Sequence, residues 1–295
     1  MSKWLNELKI TFSTNNATMK LLMINVAVFV VYNIIFVTEL FFNSNAPVSS
    51  LISNNLSLPS SFSLVIFKPW SYFTYMFFHT DVFHILFNML ALYWIGNLFE
   101  EYLGSKKLVA VYIVSGLCGG LLFQLAYNTL PLFSSVAAGS QLIGASAGIV
   151  GLMVATAVLI PNHEVMLILL GQVKLKWLVI VLVLLFYFNI PKSNAGGEIS
   201  HLGGALFGYL FMIYLRKGTD LTKWMQNILG IFTNERKTKM RILEKTKLND
   251  EQYNQRKKIM EETVDSILDK INKSGYNSLT KEEKDILYRA SNRKS

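Results

Sequence analysis

The chain has 295 residues, 52% hydrophobic and 16% charged, with 28 basic against 19 acidic side chains and a formal net charge of +9. That balance belongs to a membrane protein and excludes a disordered or collagenous chain, while the lone Cys118 excludes a disulfide scaffold. Only twelve charges lie between Leu21 and Leu215, whereas Arg216 to Ser295 carries nineteen basic and twelve acidic residues, so the basic excess sits in a soluble tail and suits a membrane surface better than nucleic acid.

Residues 1–18 are expected as a cytoplasmic N-terminal segment, followed by a membrane domain over 19–216. A helix needs roughly 20 apolar residues to cross about 30 Å of hydrocarbon. Six runs qualify: Met19 to Leu40, Phe73 to Phe99, Leu108 to Tyr127, Leu142 to Ile160, Leu175 to Asn189 and Ile199 to Leu215, the last two being short. The first exceeds a signal-peptide core and has no small-residue cleavage pattern, so it reads as a retained span. Val165 to Leu170, closed by Gly171, reads as a strand-length piece at the interface. The expected fold is an all-α, polytopic bundle of six transmembrane helices with a C-terminal cytoplasmic helical tail.

Short loops rich in lysine and arginine stay cytoplasmic. With both termini inside, the inner loops hold Lys3, Lys9, Lys20, Lys106, Lys107, Lys174, Lys176, Arg216 and Lys217, and the outer loops only Lys68 and Lys192. The expected location is therefore an integral, multi-pass place in a bacterial cytoplasmic (inner) membrane. The first outer loop, Phe41 to Tyr72, turns aromatic through Phe62, Phe67, Trp70 and Tyr72, which fits either a headgroup belt or contact with a substrate.

Ionisable and polar groups inside spans are costly, so each is a functional candidate. His84 and Asn88 share a face of the second span, with His79 and Asp81 nearer its outer end. Ser146 stands among small residues in Gly144-Ala145-Ser146-Ala147-Gly148, and His201 lies just inside the start of the sixth span. The even-numbered spans all run inward, which puts Ser146, His201, His84 and Asn88 at one depth in the outer third. Gly144, Gly148 and Gly151 with Ala155 on the fourth span, and Gly204 and Gly208 on the sixth, repeat at helical spacing and predict close contact between these two helices. His201 then reaches Ser146, and His84 and Asn88 supply donors to an oxyanion. No acid inside a span accompanies His201, and Glu198 is expected to point to the outer loop, so the pattern is a serine and histidine dyad. His163 reads as solvated. No HExxH or cysteine cluster is present, and neither metal nor cofactor is expected.

The residues His79-Thr80-Asp81-Val82-Phe83-His84 with Asn88, then Gly144-Ala145-Ser146, then His201-Leu202-Gly203-Gly204 with Gly208 resemble the rhomboid family of intramembrane serine proteases. The resemblance covers most of Trp70 to Leu215. It implies a six-helix bundle with a water-filled cavity opening outward, Ser146 as nucleophile, His201 as base, and His84 and Asn88 around the oxyanion. It also implies substrates that are single-span membrane proteins cut near their outer helix end. Glu100 and Glu101 before Gly104 resemble an acidic position that ends the second span in that family, a structural role. Three positions depart from the pattern: Ala147 follows the serine where glycine is common, Val150 stands where an aromatic ring often stacks on the histidine, and Ser71 follows Trp70 where arginine is common.

Residues 217–250 read as a basic juxtamembrane linker, in which Arg236, Lys237, Lys239 and Arg241 suit either anionic headgroups or solvent. Residues 251–295 read as a small helical hairpin, with Thr280 and Glu283 as a capping box. The expected partners are transmembrane substrates and lipids, not nucleic acid, and the oligomeric state is not legible. Two other functions compete: a non-catalytic rhomboid-like factor that binds membrane helices, disfavoured because it has no need of both Ser146 and His201, and a small-solute transporter, disfavoured by the lack of paired broken helices.

Overall fold

The computed structural model describes residues 16–42, 47–167, 171–192 and 194–232, and in the C-terminal part 263, 266, 267, 269–271, 279, 280 and 283. The chain divides into two compact units, Met1–Phe232 and Thr233–Ser295. The first begins with helix α1 (Ala17–Phe42), followed by the short helices α2 (Val48–Leu56), α3 (Phe62–Phe67) and α4 (Ser71–Thr74). Then come α5 (Val82–Leu103), α6 (Ser105–Thr129), α7 (Ser146–Leu159), α8 (Leu175–Asn189), α9 (Ala195–Arg216) and α10 (Lys223–Phe232). Among the described residues, α1, α5, α6 and α9 are long and apolar enough to cross a membrane, and α7 and α8 are shorter apolar helices.

Each of the six apolar runs overlaps one of these helices, but the lengths differ from expectation. The short helices are the fourth and fifth, with 14 and 15 residues, while the sixth has 22. The run from Leu142 gives up its first residues because Gln141–Leu142 form a strand, β2, antiparallel to β1 (Leu58–Pro59), and Gly144 adopts φ +112°. Few L-residues enter that region, so the helix starts after it. The sixth run instead extends backward, because the Asn194 side chain accepts a hydrogen bond from Gly197 N and caps α9 at Ala195. Of the piece expected at the interface, residues 165–167 lie in strand β3 (Glu164–Leu167), antiparallel to β4 (Gly171–Lys174) with Glu164 opposite Lys174, and residues 168–170 lie outside the described residues. The fold is thus mostly helical, with two small antiparallel pairs in its connections. The stretch expected as a linker contains α10, and just before that helix the Asp220 carboxylate accepts from Thr222 N at 2.9 Å.

Helix α6 is the centre of the bundle. Two-thirds (67%) of its apolar window is buried, against 17% for α1 at the periphery. It packs most extensively against α7 and α9. Helix α1 is tied to α5 at one end by Glu100, whose carboxylate accepts from Ala17 N at 2.7 Å, Thr18 N at 3.0 Å and Thr18 Oγ1 at 2.7 Å. One acid therefore satisfies donors that the start of α1 leaves without acceptors. The connection between α1 and α5 is clamped on α6: Gln124 Nε2 donates to Pro59 O and Asn128 Nδ2 to Ser60 O, both at 2.8 Å. Trp70 Nε1 donates to Asn55 O at 3.0 Å, anchoring the loop without an arginine neighbour. The loop's outer fringe, Ile66, Phe67, Trp70 and Phe73, stays exposed.

Contact between α7 and α9 depends on missing side chains. A Cβ at Gly204 would collide with the Ala147 carbonyl oxygen, and one at Gly208 with that of Gly151. Not every predicted glycine joins this seam. Gly148 faces Tyr112 on α6, where a Cβ would stand 2.8 Å from the Tyr112 carbonyl oxygen, and Gly144 is not on the helix at all. A 3.6-residue period spreads small residues over two neighbours, so α7 is wedged between α6 and α9.

In the second unit, Thr280 N donates to Glu283 Oε2 at 2.7 Å and Glu283 N to Thr280 Oγ1 at 3.3 Å, the expected capping box. Ile267 and Leu279 are buried there. The basic run from Arg236 to Arg241 lies outside the described residues.

Gly204→Val should force α7 and α9 apart and destabilise the protein by roughly 1–3 kcal/mol or more, the range for overpacking a filled interior. Thermal unfolding in detergent checks this. Gly139→Ala, whose Cβ meets nothing within 4 Å, should leave the midpoint unchanged.

Candidate active site

Ser146 is the first residue of α7, and His201 lies in the second turn of α9. The glycine seam brings the two helices so close that Ser146 Oγ and His201 Nε2 are 2.7 Å apart. With the hydroxyl donating to Nε2, the ring proton sits on Nδ1. A neutral imidazole nitrogen at this distance is placed to accept the hydroxyl proton.

The loop before Ser146 is held by two hydrogen bonds. Gly144 N donates to Tyr75 O at 2.9 Å, and Ala145 N to His79 Nε2 at 3.2 Å. Asn88 Nδ2 lies 3.0 Å from the same His79 nitrogen. Because two N–H groups converge on it, that nitrogen is an acceptor, and His79 is the Nδ1–H tautomer. His79 is fully buried and organises the loop. With those amides taken, and Ile149 N donating to Ala145 O at 3.1 Å, the N–H groups of Ser146, Ala147 and Gly148 precede the first intrahelical acceptor, and the positive end of the helix dipole is directed at the serine.

His84 and Asn88 sit one turn apart on α5, as their spacing requires, and Asp81 caps that helix by accepting from His84 N at 2.7 Å. The His84 ring lies against Gly144: a Cβ there would be 2.7 Å from His84 Cε1 and 2.8 Å from Nε2. Both the positive φ and this approach require glycine at 144. His84, Asn88, Ser146 and His201 all line one cavity of about 710 Å³, with Phe83, Phe87, Met153 and Phe186 among its apolar walls. The four predicted residues are therefore together. His163 lies in the turn before β3, away from the cavity.

Two residues beside His201 were missed or misplaced by the sequence reading. Phe186 on α8 packs its ring 4.4 Å from the His201 ring, supplying from another helix the aromatic contact that Val150 cannot make. No local motif marks it. Glu198 does not point to an outer loop. Because α9 begins at Ala195, Glu198 is helical and one turn before His201, with Oε2 3.4 Å from His201 Nδ1. The extra methyl of Ala147 is accommodated at Gly119, where a Cβ would be 2.7 Å from Ala147 Cβ.

A rhomboid domain model matches residues 67–218, more than half of the chain. The chain belongs to the rhomboid family. Relatives include proteins named Rhomboid protease GlpG from Salmonella choleraesuis (strain SC-B67), 43% identical, and from Salmonella newport (strain SL254), 41% identical, each over 58 residues. In each, the similar stretch is 20% of this chain and 21% of the relative, so the chain spans about a fifth of the length of the curated relatives it matches. Residues 248–293 match a second family, one of unknown function. Family membership together with the apolar helices makes this an integral membrane protein of the rhomboid type.

His79 and His84 should separate in their effects. His79→Ala removes a buried acceptor serving two donors and should lower stability by roughly 1–3 kcal/mol. His84→Ala, at the cavity wall, should change the unfolding midpoint far less. Thermal unfolding of the two purified variants decides it.

Proposed function

We propose that the protein is an intramembrane serine endopeptidase that hydrolyses single-span membrane proteins near the outer ends of their helices. The observation that carries this reading is the 2.7 Å contact between Ser146 Oγ and His201 Nε2 beside a cavity inside an apolar bundle. Ser146 Oγ attacks the scissile carbonyl carbon while His201 Nε2 takes its proton. The oxyanion that forms is met by the Ser146 backbone N–H at the start of α7, with His84 and Asn88 as further donors. Collapse gives an acyl-enzyme and releases the amine, which takes the proton from His201. Water, activated by the same histidine, then frees the enzyme.

In this reading all six apolar helices cross the bilayer, both termini are cytoplasmic, and the membrane is a bacterial inner membrane. The short α7 supports a recessed site. At about 1.5 Å per residue it extends about 21 Å, less than the roughly 30 Å of hydrocarbon, so with one end at the inner face its Ser146 end stops within the bilayer. The basic residues after α10 meet anionic headgroups, and residues 251–295 form the helical hairpin of the tail. Partners are transmembrane substrates and lipids.

A fluorophosphonate probe on the purified protein in detergent tests the dyad. Labelling at Ser146 should disappear in Ser146→Ala and His201→Ala, with both proteins folded. Equal labelling of the histidine variant would remove the base from the mechanism. Asn88→Ala and His84→Ala should slow turnover about a hundredfold to a thousandfold, the usual effect of losing one oxyanion donor.

A recessed serine attacks only an extended backbone, whereas a helix keeps its carbonyls bonded internally and unpaired ones are costly in lipid. The substrate must unwind, and glycine or proline lowers the cost by roughly 1 or 3 kcal/mol relative to alanine. Cleavage should follow a small residue, with a glycine or proline a few residues further into the helix. Replacing that breaker by leucine should lower turnover about tenfold or more, equivalent to ~1.4 kcal/mol on the barrier. Leucine-substituted substrates cut at the original rate would show that unwinding is not limiting.

A further inference from the structure

His201 is held on two sides that the serine does not touch. The Phe186 ring packs beside it at a tilt of 52°, centroids 4.4 Å apart, and Glu198 Oε2 stands 3.4 Å from Nδ1. The Glu198 and His201 side chains are only 16% and 14% exposed, and neither of the two facing atoms has a hydrogen-bond partner. Burying a carboxylate oxygen and an imidazole nitrogen unpaired is expensive for both, and here each is the other's nearest remedy. The 3.4 Å separation is about 0.5 Å longer than the commonest N–H···O length.

We propose that Glu198 is a positioning residue for His201. Its carboxylate accepts a hydrogen bond from Nδ1–H, fixes the tautomer whose Nε2 is free for the serine, and stabilises the imidazolium formed when Nε2 takes the hydroxyl proton. That proton stays on the ring until the leaving amine takes it, and Glu198 remains ionised throughout. The proposal rests on the reading of Ser146 and His201 as nucleophile and base. The competing role is structural: an acid in the first turn of α9 favours the helix through its dipole whether or not it serves the ring.

The full-length protein in detergent distinguishes these roles, with kcat and KM for a single-span model substrate, the fluorophosphonate labelling rate and the thermal midpoint as readouts. Glu198→Ala should lower kcat roughly tenfold to a hundredfold at unchanged KM. Glu198→Gln, isosteric and able to accept from Nδ1 without the charge, should recover part of the loss. It also serves if the alanine variant folds poorly. The titratable groups facing His201 are Glu198 on its own helix and His84 on α5, with Asp81 at the start of α5; α7 and α8 present Ser146 and Phe186, which carry no charge. A lowered midpoint with kcat unchanged would overturn the proposal in favour of the helix-dipole role. A wild-type protein that does not react with the probe would instead overturn the serine and histidine reading beneath it.

Discussion

The site depends on how closely two backbones approach. Gly204 and Gly208 let α9 lie against the carbonyls of Ala147 and Gly151, and only at that separation can an imidazole on one helix meet a hydroxyl at the end of the other. In lipid there is no hydrophobic force between helices, so van der Waals contact along such a seam does the holding. The same glycines are thus responsible both for packing and for the 2.7 Å contact.

A second constraint is the length and starting point of α7. The helix is short because the preceding chain is used otherwise: Gln141–Leu142 pair with Leu58–Pro59, and Gly144 turns through a conformation that excludes side chains. This makes Ser146 a helix N-terminal residue, where unpaired amides and the helix dipole favour developing negative charge. His79 belongs to this arrangement. By accepting from Ala145 N and facing Asn88 it couples the loop before the serine to the helix that carries His84.

The surroundings of His201 are assembled from three helices. Serine comes from α7, the tilted ring of Phe186 from α8, and the carboxylate of Glu198 from α9 itself. The aromatic support therefore survives a change of position in the sequence, since what the ring needs is a flat apolar neighbour, whichever helix offers it. Glu198 gains access to Nδ1 from a shift in helix start of only four residues, Ala195 for the expected Ile199.

Much of the site was legible in the chain. The pairing of His84 with Asn88 follows from a spacing of four, and the approach of the fourth and sixth apolar helices from their glycines. These are local or periodic properties, which a helix preserves wherever it packs. The chain also announced a capping box at Thr280 and Glu283, because both partners lie within one turn. What it did not announce is where helices begin and which side chains from other helices arrive. The start of α7 was decided by a strand partner some 80 residues away and that of α9 by an Asn194 cap, the division of small residues between α6 and α9 by three-dimensional crowding, and the ring beside His201 by packing of α8. Sequence by itself determined the membrane class, the apolar helices and the polar residues that gather at the cavity. Tertiary structure alone decided helix ends and neighbours, because those depend on hydrogen bonds and contacts between segments distant in the chain.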